Sequence, residues 1–361
     1  MAETNLTEED INRVRPTVRV SGKASDGVTR LLSSMRMEES EGGMSSLELR
    51  LLNAARFEDG EVELAFEDEA TIRHGVEIAV YAGDELSPQE IFRGLVTGLE
   101  GTFEVGVAPE LFVLAEDALQ RARLSRRTRV IEDARIDSIA KELASRIGLD
   151  PAVKGFTESL GTQVQLDETD LAFLRRMLAA RDGDVQVVGK ELHVSPRKDV
   201  RRGVLELMLG RTLRRARVTA DLAHQVTEVT VGGWDAVAGR RVEGSGTGTN
   251  LGPGAGRRGS ALLEAAVGAR IEHLRDVPAT TDDEARAIAE ASFDRRARRF
   301  VCVDATAEGN PALRVGTHVR LIGLGPRFDN TYVVVRAQHR FDVERGYEID
   351  FEAECAFLGG P

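Results

Sequence analysis

The amino-acid sequence predicts a β-rich α+β protein in which two related β domains flank an α+β insertion domain. Three observations support this fold class. Short alternating segments separated by turns dominate both ends of the chain, a strongly helical stretch lies between them, and the two end regions share one layout. We expect the domains to span 1–118, 119–203 and 204–361, the last with a Gly-rich loop at 239–260.

Composition describes a globular chain without a charged surface suited to polyanions. At 361 residues it is long enough for two or three domains, with 42% hydrophobic and 30% charged residues. The formal net charge of −12 argues against a general nucleic-acid or anionic-membrane binder. The opening segment 1–13 is acidic and lacks a secretory apolar region, and no apolar run approaches the ~20 residues of a membrane span. We therefore expect cytoplasmic synthesis without membrane insertion.

The first region, 14–115, alternates as strands. "RPTVRVSG", "SSLELRLLNA", "VEIAVYAG" and "EIFRGLVTGLEGTFEV" each show strand patterning, and turn-rich stretches such as "ESEGG" separate them. Regularly spaced short strands of this kind predict a β-barrel or sandwich.

The middle region begins with a clear amphipathic helix. Gly148 suits the left-handed residue that follows a helix, and Pro151 prevents its continuation. The apolar residues that define one face of this helix are Ile136, Ile139, Ala140, Leu143, Ala144 and Ile147.

Three carboxylates, Asp167, Glu168 and Asp170, precede a second helix, and such clusters can be catalytic. The spacing of Asp167 and Asp170 instead favours a variant of the capping box, in which carboxylates accept hydrogen bonds from the free N–H groups of the first turn. Gly183 is expected to end this helix. Its predicted apolar face contains Leu171, Leu174, Met177 and Leu178, and its predicted outward residues are Arg175, Arg176 and Arg181.

A β-hairpin should follow that helix. Gly189-Lys190 is a Gly-X pair suited to a type II′ turn. The register set by this turn gives three cross-strand pairs, Val187–Leu192, Val185–Val194 and Gln186–His193.

The last region returns to strands after an unusual loop. "HQVTEVTVGGWD" reads as a strand, whereas 239–260 is rich in Gly and Arg and should be mobile. That loop lacks the strand–turn–helix setting and the GK[ST] ending of a phosphate-binding loop. Thr281 and Glu284 form a capping box before a helix. Three strands end the chain, and on the last one we expect four acids to face water: Glu348, Asp350, Glu352 and Glu354.

A duplication is visible in the spacing of the two β regions. Gly75 opens "GVEIAVYAG", and a long strand begins sixteen residues later at Ile91. Gly316 opens "GTHVRLIGLG", and a long strand begins sixteen residues later at Tyr332. The repeated order of strand, loop and long strand predicts two related β domains.

No signature of an enzyme, a metal centre or a cofactor site is present. No histidine has ligand spacing, no GxSxG motif occurs, and neither Cys302 nor Cys355 has a histidine partner at a recognised spacing. Trp234 is expected to be a packing residue. We therefore expect no catalytic, cofactor-binding or metal-binding residue. The scattered histidines are His74, His193, His224, His273, His318 and His339.

Four segments in order resemble one family. The stretch from Gln165 to Val194 resembles the "Q…ESDxxFLxRLxxxxG" region of phage late-control D proteins and of the baseplate hub portion of VgrG spike proteins. "EIFRGLVTGLE" and "RVIEDARIDSIAKELASRIGL" resemble a strand and the insertion helix of that family. The segment 310–354 resembles its closing motif, with His339 and Gly346-Tyr347 at the expected positions. Asn330 replaces the usual Gly, and the final Arg of the motif is absent.

The resemblance implies two tube-type antiparallel β-barrel domains and a structural role. It implies a homotrimeric baseplate hub, in a contractile tail or contractile injection particle, that adapts a sixfold inner tube to a threefold spike on a separate chain. Other baseplate components and cargo effectors are further implied partners. Two alternatives stay open: a tail-associated cell-wall hydrolase with unrecognised carboxylates, and an effector- or cargo-docking adaptor that uses the loop 239–260.

Overall fold

The computed structural model describes residues 15–56, 62–67, 69–83, 87–275, 277 and 279–359. The opening segment on which the absence of a secretory signal was predicted lies outside these residues. Among the described helices, none is both long enough and apolar enough to cross a membrane.

The first region consists of antiparallel strands and one short helix. The helix is α1 (Asp26–Leu31). The strands are β1 (Thr17–Val20), β2 (Lys23–Ala24), β3 (Leu32–Ser40), β4 (Ser46–Leu52), β5 (Ala55–Arg56), β6 (Val62–Glu63), β7 (Glu77–Ala82), β8 (Gln89–Thr102) and β9 (Glu110–Glu116).

The middle region, predicted to be an α+β insertion domain, contains both helices and strands, and we call it the insertion. Its helices are α2 (Gln120–Arg123), α3 (Ile136–Ile147) and α4 (Asp170–Ala179). Its strands are β10 (Arg126–Ile131), β11 (Asp150–Val153), β12 (Gln163–Thr169), β13 (Gly183–Val188) and β14 (Glu191–Pro196). Helix α3 confirms the sequence prediction, because its apolar face is buried and Gly148 follows it in the left-handed conformation, with φ of 79°. The hairpin β13–β14 has the predicted register.

The last region adds strands and two more helices. The helices are α5 (Gly259–Val267) and α6 (Asp282–Arg298). The strands are β15 (Val204–Met208), β16 (Leu213–Ala220), β17 (Glu228–Asp235), β18 (Arg240–Gly246), β19 (Arg257–Arg258), β20 (Ile271–Leu274), β21 (Val301–Glu308), β22 (His318–Ile322), β23 (Asn330–Asp342), β24 (Gly346–Cys355) and β25 (Phe357–Leu358). Thr281 caps α6 as predicted, since its side chain accepts a hydrogen bond from the N–H of Glu284.

Both β regions belong to one 13-stranded sheet. The first β unit has the strand order β3-β4-β9-β8-β7-β1, and the second β unit has the order β16-β21-β24-β23-β22-β15. The two units meet where β3 pairs with the C-terminal half of β23, from Arg336 to Asp342. We call this pairing the joint. Because strand pairing is continuous through the joint, the division into two separate barrels stays a prediction.

The strand order confirms the duplication predicted from spacing, and the two units carry register shifts at equivalent places. In each unit six strands follow one another along the chain and in the sheet in the same relative order. The third strand of each order pairs with the fourth through a register shift at the same place, between Val96 and Gly98 in β8 and between Val334 and Arg336 in β23. The first strand of each order also carries a register shift, just after Leu32 in β3 and just after Leu213 in β16. One difference remains, since β1 is antiparallel to β7 whereas β15 is parallel to β22.

In the part of the chain that the structure describes, the buried apolar residues form three cores. One core is shared by both β units, and a second lies within the insertion under α3 and α4. The third lies in the last region, where α6 covers β17 and β18. Residues between β16 and β21 therefore contribute most of a core that is separate from the core of the sheet, which the sequence pattern did not indicate.

The predicted cap of α4 is wrong. Thr169 is the N-cap residue, and its hydroxyl accepts a hydrogen bond from the N–H of Ala172 at 3.2 Å. Asp167 lies before the helix, in β12, with φ of 46°. A hydroxyl at the position adjacent to the first turn outcompetes a carboxylate two residues further away. The helix also ends earlier than predicted, at Ala179, because Gly183 already belongs to β13.

The predicted mobile loop at 239–260 is regular structure over half of its length. Residues 240–246 form β18, which pairs with β17, while 257–258 pair with β25 and α5 begins at Gly259. The glycines serve close packing, because a Cβ on Gly244 would lie 2.2 Å from the backbone nitrogen of Arg286 in α6. The connecting residues are held by side chains, with Asp294 accepting from the N–H of Asn250 at 2.8 Å and Asn330 from that of Ala255 at 3.1 Å.

The acidic face of β24 does not simply face water. Glu348 is buried and pairs with Arg214 and with Arg340, the latter at 3.0 Å. The apolar face is confirmed, and its most buried members are Tyr347, Ile349, Phe351, Ala353 and Cys355. Sequence alternation identified the core face correctly, but it could not show that arginines from neighbouring strands cover the other face.

Candidate functional site

The joint contains a buried carboxylate. Glu39, on β3 of the first β unit, is 3% exposed, and both its oxygens accept hydrogen bonds from the Arg314 guanidinium of the second β unit, at 2.8 and 2.6 Å. The N–H of Val315 donates to the same carboxylate at 2.6 Å. A bidentate arginine pair of this kind fixes orientation as well as distance. The two β units are therefore held in one relative orientation.

The charges at the joint are strongly coupled. Burial by itself would raise the pKa of Glu39, but the Arg314 guanidinium outweighs it, and the pKa falls from 4.5 to about 2. Arg314 in turn has a raised pKa, because Glu39 outweighs the effect of its own burial. Both groups are thus charged at neutral pH, and removal of Glu39 would leave the buried Arg314 cation without its carboxylate.

The insertion is fastened to the same place. The Arg202 guanidinium lies 3.7 Å from Glu39 and donates to the side-chain oxygen of Gln186 at 2.7 Å. Buried Asp184 accepts from the N–H of Gly42, in the turn after β3, at 2.9 Å. Arg175 was predicted to face outward, but it donates to the carbonyl of Gly42 at 2.6 Å. Side chains of three regions therefore meet around the end of β3.

A histidine–tyrosine pair lies beside this network. His339 is on β23 and Tyr347 on β24, and the ring nitrogen Nδ1 of the first lies 2.6 Å from the hydroxyl of the second. Both side chains are buried. Burial and the Arg314 cation lower the pKa of His339 to about 3, so its ring is neutral at physiological pH. The pair fills the core directly behind the joint.

A cleft of about 470 Å³ opens between the insertion and the second β unit. Glu41 and Arg197 form an ion pair on one side of it, and Arg298 pairs with Asp182 close by, at 2.9 Å. Burial and the neighbouring Arg298 lower the pKa of Arg197 to about 9. The charges in this cleft are matched largely by each other, which is typical of an internal interface.

The three carboxylates before α4 do not converge on a site. Asp170 is buried and pairs with Arg146 and with Arg127, the latter at 3.2 Å, whereas Asp167 is exposed. Glu168 pairs with Arg176 at 2.6 Å on the surface. Each acid thus has a different surrounding, and the described part of the chain contains no group of three His, Cys, Asp or Glu side chains placed to bind a metal.

The cysteines and the tryptophan have surroundings that do not suit catalysis. Burial raises the pKa of Cys302 to about 11 and that of Cys355 to about 12, so both are protonated thiols. Trp234 was predicted to be a packing residue, but it is 59% exposed on β17. Among the scattered histidines, His318 borders the cleft and His193 lies 2.8 Å from Glu191 on the surface.

Sequence reasoning missed Glu39, although a signal for it exists. Met35, Met37 and Glu39 share one face of β3 by strict alternation, so a carboxylate stands where the pattern requires an apolar side chain. A charge at an inward position is buried only with a partner. That partner, Arg314, lies far away in the chain and could not be identified from spacing.

The architecture is shared with solved tail proteins. The 43 kDa tail protein of prophage MuSo2 from Shewanella oneidensis has a TM-score of 0.68 at 13% identity, with 94% of this chain and 97% of that chain covered. A tail protein from Neisseria meningitidis has a TM-score of 0.63 at 12% identity, with 94% and 96% covered. An Escherichia coli component of the type VI secretion system has a TM-score of 0.55 at 11% identity, with 96% and 77% covered. The chain therefore has the fold of a phage-tail type of protein.

The family itself is defined by sequence. The model of the family described as the Alg8 N-terminal domain matches residues 10–342, so the chain belongs to that family. No functionally curated protein matches the chain significantly.

Proposed function

We propose that this chain is a structural baseplate hub of a contractile tail or contractile injection system. The observation that carries the proposal is the duplication: two β units with the same strand order and register lie in one chain and are locked together at the joint. Three such chains present six equivalent units. A homotrimer of this kind adapts a sixfold inner tube to a threefold spike.

The buried charges support this role. An adaptor has to hold its two units at a constant angle, and the pair of Glu39 with Arg314 does so across the joint. Arg202 connects the insertion to the joint, because its guanidinium pairs with Glu39 and donates a hydrogen bond to Gln186. The expected partners are the inner tube protein, the spike protein and other baseplate components, and the chain acts without a cofactor and without catalysis.

The proposal is tested by copy number and by location. We expect light scattering and native mass spectrometry of the full chain to give three copies, and pull-down to recover the tube and spike proteins of the same particle. Electron microscopy of particles from the native host should place a tag on this chain between tube and spike. A chain that is monomeric at every concentration, and absent from purified particles, contradicts the proposal.

A zymogram distinguishes the hydrolase alternative from the hub. Cell-wall digestion by the purified chain that is lost on substitution of an acid would favour the hydrolase. The paired state of Asp170 and Glu348 argues for an inactive chain.

A further inference from the structure

Two strand edges are left unpaired by the duplication. At the joint, the outer edge of β3 pairs with the C-terminal half of β23, beyond the residues that β22 covers. The equivalent of β3 in the second β unit is β16, and the equivalent of β23 in the first β unit is β8. Within the described residues, β21 is the only strand that pairs with β16, apart from an isolated bridge between Leu209 and Leu213 at the start of β16. Strand β8 has no strand partner on its β7 side from residue 97 to 102.

We propose that these two edges bind each other between copies of the chain. Strand β16 of one copy pairs with the free edge of β8 in the next copy and repeats the joint as an intermolecular contact. Unpaired strand edges are templates for such pairing. The inference deepens the proposed hub, because a contact from β16 to β8 is head-to-tail and closes a ring in which the two kinds of unit alternate.

The duplication sets the register of the contact. Met37 lies opposite His339 in the joint, and the matching register shifts make Val218 the equivalent of Met37 and Gly101 the equivalent of His339. The intermolecular register therefore places Gly101 opposite Val218. The same correspondence places Thr102 opposite Arg217, Phe103 opposite Ala216 and Glu104 opposite Arg215.

The inward face of the predicted contact is apolar and incompletely covered in the single chain. Phe103 is 69% exposed at the end of β8, although it occupies the position equivalent to buried Phe341. Ala216 and Val218, which would lie beside it, are only half-buried at the sheet edge. Pairing would cover all three side chains, so the contact supplies the apolar burial that the chain itself leaves incomplete.

The outward face of the predicted contact is complementary in charge. Strand β16 supplies Arg215 and Arg217, and β8 supplies Glu100, followed by Glu104. In the predicted register Glu104 lies opposite Arg215 and Glu100 lies diagonally from Arg217, so each acid is next to an arginine of the other copy.

Register-specific cross-linking tests the contact in the full chain. Directly opposed antiparallel residues are close enough for a disulfide, whereas positions two residues out of register are ~7–8 Å apart. Thr102→Cys with Arg217→Cys should give disulfide-linked oligomers on mild oxidation at high protein concentration. The matched control is Thr102→Cys with Thr219→Cys, and the unsubstituted chain reports on Cys302 and Cys355.

Charge reversal tests the same contact without cysteines. Glu100→Arg with Glu104→Arg, or Arg215→Glu with Arg217→Glu, should lower the apparent association constant at least tenfold by light scattering. Combining all four substitutions in one chain should restore association, since the opposed charges again attract. Circular dichroism of each variant separates lost association from lost folding.

The outcomes distinguish this inference from the hub proposal. Absence of the T102C–R217C product, or an equal yield from T102C–T219C, overturns the contact, while three copies in the particle would leave the hub intact. In-register cross-links in a chain that binds neither tube nor spike protein support the contact and contradict the hub.

Discussion

Gly75 and Gly316 occupy equivalent positions at the start of equivalent strand pairs. Each has a left-handed backbone, with φ of 76° and 85°, and each donates its N–H to a valine carbonyl, Val96 at 2.8 Å and Val334 at 2.9 Å. The two valines lie just before the register shifts of β8 and β23. This correspondence fixes the alignment of the two β units residue by residue.

Replacing either glycine should destabilise the chain, and Gly316 should be the more sensitive. A left-handed backbone costs an L-residue about 1–2 kcal/mol. Gly75→Ala adds only this cost, because nothing lies within 4 Å of its Cβ position, whereas a Cβ on Gly316 would meet Val200 at 2.6 Å. Urea unfolding of Gly75→Ala and Gly316→Ala measures the loss in the free energy of unfolding for each variant. Gly75→Asn should be milder than Gly75→Ala, since Asn tolerates this conformation, and equal effects of Ala at both glycines would contradict the assignment.

The Glu39→Gln variant should be among the least stable single substitutions at the joint. It leaves Arg314 buried opposite a neutral group, which costs about 3–5 kcal/mol. The neighbouring Glu38→Gln is the matched control, because its partner Arg336 is 40% exposed and such pairs contribute about 0–1 kcal/mol. Thermal unfolding of both variants should separate them clearly, and similar midpoints would show that the buried pair does not hold the joint.

Acid should destabilise the chain in two overlapping windows. The folded pKa of His339, about 3, is below its ordinary value of 6.5, so the unfolded chain binds the proton more readily and stability falls as pH drops from 6.5 toward 3. For Glu39 the stabilisation is present above 4.5 and is lost as pH falls toward 2.

His339→Gln isolates the first window. Between pH 6 and 4 the parent chain should lose up to about 1.4 kcal/mol per pH unit more than this variant, measured by urea unfolding at each pH. His74→Gln, at an exposed position, should keep the parental slope. If the free energy of unfolding of His339→Gln depends on pH as steeply as that of the parent chain, His339 is not the cause of the acid destabilisation in this range.

Gly244→Ala should disturb the packing of α6 on the β17–β18 hairpin. The added Cβ would lie within 3 Å of backbone atoms of Arg286 and Ala285, which cannot move independently of the helix, and overpacking of this kind costs about 1–3 kcal/mol. Gly232→Ala on the same hairpin has open space around its Cβ and should be neutral or slightly stabilising. Hydrogen exchange of α6 in the two variants provides the comparison.

Asp170→Asn should destabilise the insertion while Asp167→Asn leaves it unchanged. Asp170 is buried and pairs with two arginines that are partly exposed, so a loss of about 2 kcal/mol is expected. Asp167 is 76% exposed, and surface changes of this kind lie within about 0.5 kcal/mol. Differential scanning calorimetry tests the order. A larger destabilisation by Asp167→Asn than by Asp170→Asn would contradict the conclusion that Asp170 is the carboxylate that stabilises the insertion.

The sequence by itself determined the elements whose periodicity is local. The face of α3, the register of the β13–β14 hairpin and the core face of β24 were all predicted correctly, because each depends on neighbours within one helix or one turn. The equivalent glycines Gly75 and Gly316 also indicated the duplication. Counting from these glycines aligns β8 with β23 about three residues away from the alignment that the register shifts give. The reason is that the loops before β8 and β23 differ in length.

Only the tertiary structure decided how these elements meet. The pair of Glu39 with Arg314 joins residues 275 positions apart, and the helix that covers Gly244 begins far downstream of it. A glycine-rich stretch reads as mobile when considered alone, because the backbone that packs against it is invisible to local pattern. Long-range pairing is set by the geometry of the whole sheet, and for that reason the joint and the two free strand edges became apparent only in three dimensions.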